Sequence, residues 1–187
     1  VFLRPHAAFD LTRATRHFYA TSSCGVCGKA SIDAIRLDGV ASVAEDDLAV
    51  DGRALGGCVD QLRAAQSVFD KTGGLHAAGL FDAAGRLVAS REDVGRHNAV
   101  DKIVGRALLG GAVPLRRHLL LVSGRASFEI TQKAAAAGIP VLAAVSAPSS
   151  LACEAAEAFG MTLVGFVRGA QFSVYTGARR IRPDGPP

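Results

Sequence analysis

Three apolar runs, His118 to Val122, Pro140 to Val145 and Met161 to Val167, recur about 22 residues apart, each followed by a polar turn. Between the first two lies Ser127 to Ala137, rich in helix formers and closed by Gly138. Between the next two lies Ser150 to Phe159, closed by Gly160. Glycine just past the last periodic residue is a helix stop, because it accepts the left-handed conformation at no steric cost. Short apolar strands alternating with such helices are the pattern of βαβ units and a parallel sheet. The rhythm predicts an α/β fold in three layers, a mostly parallel sheet with helices on both faces.

Upstream, Val59 to Lys71 has helical spacing in Val59, Leu62, Ala65 and Phe69 and ends at Gly73-Gly74. Leu75 to Phe81 and Arg86 to Ala89 flank an Asp82-Ala-Ala-Gly85 turn and read as a hairpin. Asn98 to Leu109 places Val100, Ile103, Val104, Ala107 and Leu108 on one helical face and stops at Gly110-Gly111. Arg16 to Ala20 reads as a strand leading into a cysteine-bearing loop. With 49% hydrophobic residues, 187 residues suffice for one globular domain. Residues 182–187 read as a disordered tail. The chain starts at Val1 rather than Met, as expected of a processed chain or a piece of a longer one.

The 21 Lys+Arg and 17 Asp+Glu leave a net charge of +4 with no basic block, which suits an anionic small ligand at least as well as nucleic acid. Without Trp or a Lys/Arg-rich run, a nucleic-acid surface has little to build on. The longest apolar stretch, Ala134 to Ala147, is broken by Gly138 and Pro140 and falls short of the roughly 18 residues of a membrane span. Arg4, His6, Asp10, Arg13 and Arg16 interrupt the first segment, so it lacks the core of a secretory signal, and a cytoplasmic location is expected. In that compartment the four cysteines read as thiols; Cys58 and Cys153, alone in helical patterns, read as small buried hydrophobes.

In an open α/β sheet, ligands bind beyond the carboxyl ends of the strands, where helix N-termini present unpaired N–H groups to anions. Those ends here read Ser123-Gly124-Arg125-Ala-Ser127, Ser146-Ala-Pro-Ser149-Ser150 and Arg168-Gly169-Ala170-Gln171. Small residues admit a phosphate, hydroxyls donate to it, and Arg125 and Arg168 grip it as bidentate forks. Any one such turn is also an ordinary helix cap; three together favour a nucleotide or pterin phosphate. The stretch Ser90 to Lys102 places Asp93, Arg96, His97, Asp101 and Lys102 around a helix start, with His76 leading a neighbouring strand. Either a solvated turn or an organising shell accounts for it.

Cys24-Gly-Val-Cys27 is the sharpest local signal, open to reading as a redox dithiol, half of a zinc site or a persulfide carrier. Flanking Gly25 and Gly28 favour accessible sulfurs, and Lys29 is a cation able to lower a thiol pKa. A second C-x-x-C or an H-x-x-x-H to complete a zinc tetrahedron is absent. Deaminase chemistry is disfavoured, since His76-Ala-Ala78 has Ala where the proton-shuttling Glu belongs. A thioredoxin-like reading is weakened by the Ser/Gly setting of the motif.

Ser23 to Gly28, Gly74 to Ala78, Glu92 to Lys102, Ser123 to Glu129, and Phe166 to Arg168 with Phe172 and Tyr175 together resemble the FdhD family of formate dehydrogenase accessory proteins, over Phe18 to Ile181. The resemblance implies one FdhD-like domain over residues 1–187 without the family's N-terminal portion, similar to cytidine deaminases in fold but lacking the zinc site. It implies a sulfurtransferase that takes persulfide sulfur from a cysteine desulfurase. The sulfur goes to the bis-molybdopterin guanine dinucleotide molybdenum cofactor, which a guanine nucleotide mimics, for use by formate dehydrogenase. A chaperone that holds the cofactor without sulfur chemistry is the alternative. By the same resemblance Cys24 bears the persulfide and Cys27 is its partner. The segment Phe166, Val167, Arg168, Gly169, Ala170, Gln171 binds the cofactor, and a homodimer is expected. Ser123, Gly124, Arg125, Ser146, Ser149, His76, Asp93 and His97 are added to the cofactor site from the strand-end reading, with Phe128, Phe172 or Tyr175 as stacking partners for guanine or pterin rings. No resident metal is expected.

Overall fold

The computed structural model describes residues 40–182. Its elements run β1 (Val50–Asp51), α1 (Gly52–Ala64), α2 (Phe69–Thr72), β2 (His76–Phe81), β3 (Leu87–Asp93), α3 (Arg96–Leu109), β4 (Leu119–Val122) and α4 (Phe128–Ala136). There follow β5 (Val141–Ala144), α5 (Ser150–Ala158), β6 (Thr162–Arg168), β7 (Gln171–Thr176), a 3-10 turn (Ala178–Arg180) and β8 (Ile181–Arg182). The three apolar runs of the sequence are β4, β5 and β6, and the two helices between them are α4 and α5. Ser127 and Ser149 cap those helices, each hydroxyl accepting from the backbone N–H three residues on.

The main sheet has the order β3-β2-β4-β5-β6-β7. The β4–β5 and β5–β6 ladders are parallel, whereas β2 is antiparallel to both β3 and β4, and β7 to β6. Thus β3 to β6, apart from the reversed β2 beside them, share one direction, and the mostly parallel sheet is observed. Alternation along the strands divides the core in two. Ala77, Phe81, Leu119, Leu121, Val141, Ala143 and Val164 face Leu55, Cys58 and Leu62 of α1. The alternate residues Ala78, Leu80, Leu120, Val122, Leu142 and Leu163 are equally buried, and α3, α4 and α5 supply Val100, Ile103, Ile130, Ala134, Ala152 and Ala156. Each full burial of a Leu or Val contributes about 1.5–3 kcal/mol, so helices are held to both faces.

The α1 helix begins at Gly52, seven residues before the spacing of Val59 suggests, because Asp51 caps it by accepting from the N–H groups of Arg53 (2.8 Å) and Ala54 (3.4 Å). It ends at Ala64 rather than running to Lys71. The Glu92 carboxylate accepts from the N–H groups of Val68 (3.0 Å) and Phe69 (2.8 Å), which starts the separate α2 turn there. The β7 strand, an edge strand half-exposed along its length, was not expected from the sequence.

Arg180 is 2% exposed and ties the two ends of the described segment together. Its guanidinium donates to the carbonyls of Val43 (2.5 Å), Ala44 (3.2 Å), Asp46 (3.1 Å) and Gly160 (2.9 Å). Arg182 pairs with Asp51 across β8 and β1, while the expected strand Arg16 to Ala20, the Cys24–Cys27 loop and residues 183–187 lie outside the described residues. Among the described residues no helix is long and apolar enough to cross a membrane.

Candidate functional site

The turns after β4, β5 and β6 are joined into one ledge by their backbones. Ser149 N–H donates to the Ala126 carbonyl (3.0 Å), Ala126 and Pro148 form a parallel bridge, and Phe166 N–H donates to the Ser146 carbonyl (3.3 Å). The three strand-end segments singled out in the sequence are therefore neighbours in space. Because β2 runs antiparallel to β4, its first residues reach the same edge, and Ala77 N–H donates to Ser123 Oγ (2.8 Å) while Ser123 N–H donates to the Ala77 carbonyl (3.0 Å). Ser123 keeps its own O–H proton for another acceptor. Gly124 lies against His76; a Cβ there would sit 3.4 Å from His76 Nδ1 and 3.8 Å from Arg96 Cδ.

Arg125 and Arg168 are exposed, and neither pairs with an acid among the described residues. Their guanidinium groups are available to an anion at the ledge. Phe166 has φ of 54°, a left-handed conformation unusual for a side chain of its size, and is 41% exposed at an irregularity in the β6–β7 pairing. Val167 faces the core and offers only its backbone, whereas Gly169 and Ala170 form the exposed β6–β7 turn, with Arg168 paired to Gln171 at its base. The turn rests on α1: a Cβ on Gly56 would fall 2.1 Å from the Gly169 carbonyl oxygen.

Behind the ledge, His97 Nε2 lies 3.1 Å from Ser127 Oγ and 3.7 Å from Glu129 Oε2. Burial holds the His97 pKa below the ordinary histidine value, against the pull of Glu129, so the ring is neutral at pH 7. Glu129 Oε2 and Arg96 Nε are both buried without a hydrogen-bond partner among the described residues. Asp93 stands opposite His76 in the β2–β3 pairing. Its carboxylate binds Lys102 Nζ (2.5 Å), Gly95 N–H (2.9 Å) and Asn98 Nδ2 (3.0 Å), which holds its pKa down at about 2. It is thereby committed to fixing the start of α3.

The aromatic residues divide differently from the expectation. Phe128 is 4% exposed in the core and unable to stack on a ligand, Phe172 packs on Gly52, and Tyr175 is 43% exposed. Ser149 caps α5, and Ser146 contributes its carbonyl to the ledge. Arg96, from the polar shell at the start of α3, and Ser127 and Glu129, from the Ser123 to Glu129 motif, complete the cluster around His97. The buried Cys58 thiol is pushed up to about 12, first by burial and then by the charge of Asp82, which leaves it protonated and unreactive.

A family model described as the FdhD/NarQ family matches residues 2–182. The chain belongs to the FdhD/NarQ family. Proteins named sulfur carrier protein FdhD are similar to it at 61% identity in Streptomyces avermitilis and 60% in Streptomyces coelicolor, each over 89% of this chain and 59% of the relative. A third, from Thermoplasma volcanium, is 49% identical over 89% of this chain and 59% of its own length. The chain thus spans about three-fifths of the length of these FdhD relatives. A crystal structure assigned to a formate dehydrogenase accessory protein of Desulfotalea psychrophila is similar in fold, with a TM-score of 0.68 and 32% identity over 73% of this chain and 58% of that one.

Proposed function

We propose that this chain carries sulfur for formate dehydrogenase, taking it as a persulfide on Cys24 from a cysteine desulfurase and delivering it to the bis-molybdopterin guanine dinucleotide molybdenum cofactor as substrate. The names of the relatives support the carrier role, and the name of the matched crystal structure supports the link to formate dehydrogenase. The observation that supports cargo binding is the continuous ledge from Ser123 through Ser146 to Gln171, with Arg125 and Arg168 exposed at it. A dinucleotide with two diphosphates is a large polyanion, and this edge supplies hydroxyls, backbone amides and exposed guanidinium groups.

Loading is a thiol exchange in which the Cys24 thiolate attacks the outer sulfur of the desulfurase persulfide. The S–S bond there breaks and the desulfurase cysteine leaves as a thiolate. Release as sulfide takes two electrons, and Cys27 supplies them. Its thiolate attacks Cys24 Sγ, a Cys24–Cys27 disulfide forms, and hydrosulfide leaves for the metal in exchange for an oxygen ligand lost as hydroxide. A small-molecule thiol then reduces the disulfide. His97 and Ser127 line the back of the ledge, where they orient the loop that faces the cargo rather than reacting with it.

Replacement of Cys24 tests the reading. Cys24→Ala is expected to abolish activation of formate dehydrogenase while leaving the binding of a guanine nucleotide unchanged. Full activation by that variant would refute sulfur transfer and leave a chain that only holds the cofactor.

A further inference from the structure

Two side-chain atoms, Arg96 Nε and Glu129 Oε2, are buried without a hydrogen-bond partner among the described residues, and both belong to the cluster around His97. A buried donor or acceptor left unanswered is destabilising, more so on a charged group. One of each in a single cluster points to a second state in which both are answered.

His97 is 8% exposed, and its Nε2 lies 3.1 Å from Ser127 Oγ but 3.7 Å from Glu129 Oε2, too far for a hydrogen bond. Burial is the largest obstacle to a proton on this ring; Glu129 and Asp101 favour one, while Arg96 and Lys133 oppose it. Lys133 is itself shared between Asp101 at 2.6 Å and Glu129 Oε1 at 3.5 Å. From β2, His76 stands against Gly124, where an added Cβ would lie 3.4 Å from His76 Nδ1 and 3.8 Å from Arg96 Cδ. From β3, Asp93 is already occupied by Lys102, Gly95 and Asn98.

We infer that His97 takes up a proton from solvent when an anion docks on the ledge, and that the charged ring closes on Glu129, tying the start of α3 to the start of α4. The inference rests on the reading that a diphosphate lies along the ledge. An anion in the Ser123–Gly124 turn answers Arg96, which offsets a charge that repels the proton. A charged imidazole carries an N–H on each nitrogen, so Nε2 becomes a donor to Glu129 Oε2 and both orphaned atoms are answered together. Ser127 caps α4, and its neighbour Ala126 bridges to Pro148, so the new pair braces the ledge beneath its cargo. Since the anion raises the proton affinity of the ring, the proton raises the affinity for the anion, and binding must tighten as pH falls.

GDP-mannose is the probe, because both of its phosphates are esterified and its own charge is constant near neutral pH. Calorimetry of the full chain in buffers of different ionisation enthalpy is expected to show uptake of about half a proton per ligand near pH 6.5. The affinity is expected to rise about tenfold between pH 8 and pH 5. His97→Gln, which keeps a donor for Ser127 but cannot take a proton, is expected to bind without uptake and with a flat pH profile. In the unaltered chain, NMR of the His97 ring is expected to show it neutral alone at pH 7 and protonated with the ligand bound. Binding without proton uptake, a His97 ring that stays neutral in the complex, or uptake that persists in His97→Gln, as it would if His76 took the proton, would overturn the inference with the ledge reading intact. Absence of GDP-mannose binding to the unaltered chain would overturn both.

Discussion

Gly56 and Gly57 are adjacent in the middle of α1, and replacing each by Ala separates helix propensity from packing. At Gly57 an added Cβ meets nothing within 4 Å, so Gly57→Ala gains helix propensity and is expected to stabilise the chain by about 0.5–1 kcal/mol. At Gly56 the same methyl falls 2.1 Å from the Gly169 carbonyl oxygen and 2.7 Å from its carbon. Both are backbone atoms, so either α1 or the β6–β7 turn must move. Overpacking of this kind costs roughly 1–3 kcal/mol, which exceeds the propensity gain. The propensity gain is common to both, so the two variants should differ by the overpacking cost of about 1–3 kcal/mol, or some 2–12 °C in Tm for a domain of this size. Thermal unfolding of the two proteins measures the gap. GDP titration measures whether the turn carrying Arg168 to Gln171 has shifted, with weaker binding expected for Gly56→Ala alone. Equal stability of the two variants would refute the close packing of α1 on the turn and the positioning role assigned to it.

Glu92→Ala removes the acceptor for the Val68 and Phe69 amides, and their hydrogen exchange is expected to rise about tenfold; unchanged exchange would show that the carboxylate does not hold the start of α2. The Asp93 carboxyl is held down at about 2, below its ordinary 3.8, so its interactions contribute stability above pH ~4 that is lost as pH falls toward 2. Asp93→Asn should flatten that acid limb in denaturation curves measured across the window, and an unaltered limb would contradict the assignment. Arg180→Ala strands four carbonyl acceptors of a buried guanidinium and is expected to lower stability by about 3 kcal/mol or more, read from urea unfolding; a loss under 1 kcal/mol would show that the clamp is dispensable. Iodoacetamide at pH 8 should spare Cys58 in the folded chain, whose thiol stays protonated, and peptide mapping that finds it alkylated would contradict its burial.

The β4-α4-β5-α5-β6 half was legible because each element is local: an apolar run fixes a buried strand, and a serine cap and a glycine stop bound each helix. The early start of α1 was not, since Gly52, Gly56 and Gly57 are poor helix formers. Gly52 and Gly56 are tolerated where the helix must approach Phe172 and the Gly169 turn, contacts between residues over a hundred positions apart. The break between α1 and α2 depends on Glu92, and the β1–β8 pairing joins two-residue strands from opposite ends of the described chain. Neither leaves a local pattern. At the ledge, Ser123, Gly124, His76 and His97 were recognisable by chemistry, and the reversed β2 is what brings them together.

Sulfur carriage itself is tested by intact-mass spectrometry of the full chain after incubation with a cysteine desulfurase and cysteine. The expected product is heavier by one sulfur atom, removed by a reductant and mapped to the peptide containing Cys24 and Cys27. An unchanged mass, or added sulfur found on Cys58 or Cys153 instead, would contradict the account.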